Sequence, residues 1–91
     1  MIFMENKIVL SSLAMDLKRV ALGLHRKSYG MADKFLSEAM KRKEEVNMKD
    51  LLPYMQTIMN HVGALGAQDN GQRAEDALMY STRIQNYVLY K

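Results

Sequence analysis

His25 and His61 are the only two histidines in the 91-residue sequence, and there is no cysteine. Acid–base chemistry or a metal site would have to be built from these two imidazoles and ten Asp and Glu residues. A di-metal carboxylate bundle needs a glutamate three residues before its histidine, but those positions hold Leu22 and Ile58. The sequence contains no His-Glu-x-x-His, no Gly-rich phosphate loop and no Gly-x-Ser-x-Gly element. Without cysteine, thiolate catalysis, disulfides and Cys-based zinc sites are excluded together. No metal or other cofactor is expected, and the reading leans away from an enzyme.

Three other groupings have the residue types for binding. The first is basic: Lys18, Arg19, His25, Arg26 and Lys27, followed later by Lys41, Arg42 and Lys43. Such cations can contact phosphates, so Lys18, Arg19, Arg26, Lys27, Lys41, Arg42 and Lys43 are the candidates for nucleic-acid binding. Both clusters also lie near expected helix C-termini, where cations offset the negative end of the helix dipole. The second grouping is Tyr80, Arg83, Tyr87 and Tyr90, at steps of three and four. Tyr and Arg are enriched at interface hot spots and can stack bases. For Tyr80 and Tyr87 the favoured reading is that they flank the core, with rings buried and hydroxyls in water.

The third grouping is apolar. Ile8, Met15 and Leu22 recur every seven residues, nearly opposite the stripe Leu10, Leu13, Leu17, Val20 and Leu24. A helix apolar on two sides is usually buried between neighbours or shared with another subunit. Four helices leave no layer to cover the second face, whereas a two-fold dimer would. Ile8, Met15 and Leu22 are therefore candidate interface residues, with Arg19 and Arg26 as their polar rim and Tyr80, Arg83 and Tyr87 as a second candidate patch. The competing view is of three ordinary exposed apolar side chains.

One short stretch, Arg19-Val20-Ala21-Leu22-Gly23-Leu24-His25, resembles the Arg-x5-His ribonuclease motif of HEPN helical bundles. The family often has a polar residue after the arginine, where this chain has Val20, and its motif usually lies late in the bundle. The resemblance implies metal-independent RNA cleavage by Arg19 and His25, across a dimer interface.

The elements that must position these groups are all helical. The spacing predicts helices over about 5–27, 31–46, 50–66 and 70–90. Ser28-Tyr29-Gly30 is the expected break after the first, with Gly30 in the left-handed conformation. Asp50 is the expected N-cap of the third helix, with Pro53 in its first turn, and Gly66 its expected end. Asp69, with Gln72 three residues on, resembles a capping box for the fourth. No segment alternates with period two for long enough to form a strand.

Short connections favour antiparallel neighbours, so the expected fold is an all-α, four-helix up-down antiparallel bundle formed by residues 1–91 as one domain. If Gly30 were tolerated inside a helix, helices 1 and 2 would fuse into a rod bundled with a second chain. The net charge is +3, all of it arising between Glu5 and Lys27. That excess points only weakly to nucleic acid or an anionic surface. No apolar run reaches the roughly 18 residues of a membrane span, and the first residues lack a secretory pattern. A cytoplasmic location with no membrane partner is expected. The leading expectation is a non-enzymatic helical protein–protein interaction module that self-associates as a homodimer. The alternatives are a small basic nucleic-acid-binding protein and a HEPN-like ribonuclease.

Overall fold

The computed structural model describes residues 2–90, with side-chain surroundings from Asn6 to Tyr90. Four helices run in order: α1 (Ile2–His25), α2 (Tyr29–Glu45), α3 (Pro53–Gly63) and α4 (Asn70–Tyr90). Short 3-10 turns at Met48–Asp50 and Leu65–Ala67 precede and follow α3, and the described residues contain no strand. The all-α bundle follows from the periodicity of α1. Leu13, Leu17 and Val20 are fully buried, and Leu10 and Leu24 nearly so. At 1.5 Å per residue this helix is about 36 Å long, close to the 39 Å longest dimension of the molecule. Helix α1 is thus the axial element, and it packs most extensively against α4 and α2.

The α1–α2 turn departs from expectation. Lys27, not Gly30, takes the left-handed conformation, with φ of 58°, and no glycine has positive φ. The Ser28 amide donates to the Gly23 carbonyl at 2.8 Å and the Lys27 amide to Leu24 at 3.2 Å. This pair of bonds is the Schellman arrangement, which satisfies carbonyls left open at the end of α1. The break therefore comes two residues earlier than the expected helix limits, and Gly30 lies inside α2. The fused rod is excluded. Close approach after the turn depends on Gly23, where a Cβ would lie 3.0–3.1 Å from Ala32.

Helix α2 returns antiparallel to α1. The Gly23–Ala32 approach lies near the turn, Arg42 meets Asp16 further along, and Asn6 meets Asn47 at the far end. Asn6 is buried and pairs twice: the Asn47 amide donates to Asn6 Oδ1 at 2.8 Å, and Asn6 Nδ2 donates to the Asn47 carbonyl at 3.0 Å.

The expected third helix over 50–66 is shorter. Asp50 belongs to the 3-10 turn, and Leu52 is the N-cap with Pro53 at the first helical position. Leu52 is extended (φ −64°, ψ 152°), as a residue before proline prefers, so no helix can run through it. Asn47 caps the 3-10 turn by accepting from the Lys49 amide. At the other end α3 stops at Gly63, and Gly66 sits within the second 3-10 turn.

The Arg73 side chain donates to the carbonyls of Leu65, Gly66 and Gln68 at 2.9, 3.0 and 2.7 Å, fastening that turn to α4. Asp69 caps α4 as expected, accepting from the Gln72 amide at 2.9 Å. The Gln72 side chain turns to Asp76 instead of completing a capping box. Ser81 Oγ donates to the Ala14 carbonyl at 2.7 Å, holding α4 antiparallel beside the middle of α1.

Candidate interaction surface

The inner arc of α1 runs from Asp16 and Gly23, facing α2, to Leu10, Ala14 and Ala21, facing α4. All of these residues are buried. The remaining arc faces outward, between α2 and α4. Ile8, Met15 and Leu22 run down its middle and are 63%, 42% and 39% exposed. By helical spacing Lys7, Lys18 and His25 border the stripe on the α4 side, and Arg19 and Arg26 on the α2 side. All five are exposed. On α4, Leu78 and Leu89 are 49% and 68% exposed. They project from the flank of α4 opposite its contacts with α3, on the far side of Lys7, Lys18 and His25 from the α1 stripe. The stripe from Ile8 to Leu22 is about 21 Å long.

The basic clusters are divided by the fold. Arg19 lies 3.8 Å from Asp16, and its guanidinium stacks 5.2 Å from the centre of the Phe35 ring. Arg42 Nε donates to Asp16 Oδ2 at 3.4 Å. Lys41 pairs with Glu38 at 3.8 Å, and the Lys43 chain passes over Gly63. Successive residues of α2 thus point to three different places. One cation from each cluster converges on a single buried carboxylate. Burial pushes the Asp16 carboxyl above its ordinary 3.8, an effect that Arg42 and then Arg19 oppose. Asp16 is not singled out by the sequence pattern, although it stands beside Lys18 and Arg19 in a segment, Glu5 to Lys27, where basic residues outnumber acids five to two. Lys18, Arg26 and Lys27 are exposed, and none makes an ion pair among the described residues.

Arg19 and His25 are separated by about 9 Å along α1 and by roughly a third of a turn around it. Arg19 faces Asp16 and Phe35, and His25 stands exposed in the last turn. One helix therefore does not bring the two onto a common face.

The tyrosine stripe divides in two. Tyr80 and Tyr87 are buried against α3. The Tyr80 ring lies 6.2 Å from that of His61, and burial, with Asp76 second, raises its phenol above 10. The Tyr87 hydroxyl accepts from the Leu52 amide at 3.2 Å, so it is not left in water, and its ring meets Tyr54 edge-on at 5.7 Å. Arg83 and Tyr90 are exposed. With Tyr54, Ile58, Asn86 and Tyr87 they line a shallow groove of about 360 Å³.

Among the described residues, no three His, Asp or Glu side chains gather as metal ligands. Among the same residues, no helix is long and apolar enough to cross a membrane. No family model, curated protein or solved structure matches this chain.

Proposed function

We propose that this protein is a non-enzymatic helical interaction module that self-associates through the outer face of α1. The observation that carries this reading is the run of Ile8, Met15 and Leu22 along the middle of that face, exposed in the single chain at regular spacing. Leu78 and Leu89 add exposed apolar side chains on α4, beyond the border formed by Lys7, Lys18 and His25. Contiguous apolar patches rimmed by polar groups are typical of protein interfaces. The rim is cationic, so it contributes repulsion between copies, and association is driven by the apolar stripe.

Light scattering at high micromolar concentration tests the proposal. The wild-type chain is expected at twice its 10.5 kDa mass, and Met15→Asp at the single-chain mass. A wild-type monomer at that concentration would overturn the reading. Added salt is expected to tighten association by screening the rim. Phosphate binding by Lys18, Arg26 and Lys27 would instead weaken with salt.

A further inference from the structure

Asp16 is the one acid within ion-pair distance of either Arg19 or Arg42 among the described residues. Arg19 Nη1 lies 3.8 Å from one of its carboxylate oxygens, and Arg42 Nε lies 3.4 Å from the other. The Asp16 side chain is 7% exposed, whereas those of Arg19 and Arg42 are 47% and 41% exposed. The carboxylate is thus a buried anchor at the α1–α2 seam, beneath two cations whose outer edges are open to water.

Each guanidinium carries five N–H donors in a planar fork. Arg42 spends only Nε on Asp16, and the 3.8 Å approach of Arg19 is too long for a hydrogen bond. The remaining N–H groups of both have no protein acceptor among the described residues. The Phe35 ring, stacked on Arg19, restricts the plane of that fork. Donor capacity is therefore oriented by the fold and left unused by it.

Charge favours an anion at this place. Glu38, the other acid close enough to act on Asp16, pairs with Lys41. Three cations, Arg19, Arg42 and Lys41, thus stand against two acids, Asp16 and Glu38. The two forks come from different helices and converge from two directions. A phosphate monoester has three terminal oxygens and close to two negative charges near neutral pH, so it can accept from both forks at once. A nucleic-acid backbone fits less well. It calls for cations in a row, whereas Lys41 turns to Glu38 and Lys43 passes over Gly63.

We propose that Arg19 and Arg42 form an oxyanion site that takes a single phosphoryl group, as a phosphate monoester or as free phosphate. The site is built within one chain, so it stands apart from the self-association proposed above.

The test is a proton–nitrogen NMR titration of the full chain with inorganic phosphate, following the arginine Nε–H signals, with chloride at matched ionic strength as the control. The Arg19 and Arg42 signals are expected to shift and saturate with a Kd below about 10 mM, and chloride should not reproduce the shift. Arg19→Gln should weaken binding at least about ten-fold. Arg42→Lys, which keeps the charge and loses the fork, should weaken it by a smaller factor. Unshifted methyl signals of Met55 and Met59 in each variant show that the fold is intact.

The remaining arms need no variant. Phosphoserine binding more tightly than inorganic phosphate would mark an ester as the ligand, and weaker binding would mark free phosphate; either supports the site. Acetate binding as tightly as phosphate would overturn the phosphoryl assignment. Single-stranded RNA acting at about ten-fold lower phosphate concentration than phosphoserine would show a polyanion surface and overturn it as well. Shifts that never saturate, or that spread evenly to Arg26 and Arg83, would reduce the effect to screening and overturn the site itself.

Discussion

The outer face of α1 and the tyrosine stripe of α4 read alike in sequence, since each offers large side chains at helical spacing outside the main apolar seam. Their fates in the fold are opposite. Tyr80 and Tyr87 are buried, while Ile8, Met15 and Leu22 remain exposed. The difference lies in the neighbours. Helix α3 crosses over the tyrosine side of α4, giving Tyr80 the His61 ring and Tyr87 the Tyr54 ring and the Leu52 amide. No segment among the described residues covers the outer arc of α1. Periodicity tells which residues share a face, and only the path of the chain tells which faces find a cover within it.

The largest expected effect comes from comparing the two arcs of α1. Leu17→Ala should lower the free energy of unfolding by about 3 kcal/mol in chemical denaturation, because it opens a cavity in a fully buried seam. Leu22→Ala, on the outer arc, should change single-chain stability by less than about 1 kcal/mol while reducing the associated fraction. Equal losses for the two would erase the distinction between the arcs.

The tyrosine stripe gives the next contrast. Tyr87→Phe removes the acceptor of the Leu52 amide and should cost about 1 kcal/mol. Tyr90→Phe should have no measurable effect on denaturation, since that ring is 86% exposed.

The turn that separates α1 from α2 can also be sharpened. Lys27→Gly should raise the thermal midpoint, with a gain of up to about 1 kcal/mol, because the left-handed conformation costs a lysine more than a glycine. Lys27→Val should lower it.

The smallest effect concerns Asp16. Its carboxyl is held above the ordinary 3.8 in the fold, so the folded state binds this proton more tightly than the unfolded chain. Its contribution to stability is complete below 3.8 and is lost as pH rises through the raised value. The stability of Asp16→Asn relative to wild type should therefore increase across that window and level off above it. A difference that stays flat with pH, or falls, would contradict the dominance of burial over the two arginines.

The helix count and the seam of α1 were legible because Leu10, Leu13, Leu17, Val20 and Leu24 satisfy one period over most of a long helix. The outer stripe was legible for the same reason. The ends of α3 were not. Pro53 limits where that helix can begin and holds Leu52 extended, but the start of the 3-10 turn at Asn47 is tied down by Asn6, 41 positions away. The end of α1 was misplaced because Gly30 is the better local candidate for a left-handed residue, while two Schellman bonds stabilise Lys27 in that role. Arg73 gave no local signal, since its three carbonyl partners are arranged only once the α3–α4 turn has formed. Within the candidate surface, the spacing of Ile8, Met15 and Leu22 could be read directly. The meeting of Arg19 and Arg42 at Asp16 required the packing of two helices.

The most direct measurement is methyl NMR over a dilution series from near-millimolar to low-micromolar protein. The methyl signals of Ile8, Met15 and Leu22 should move with concentration, while those of the buried Met55 and Met59 stay fixed. Signals from the outer stripe that do not change across the series, or changes confined to the groove beside Arg83 and Tyr90, would contradict self-association through α1.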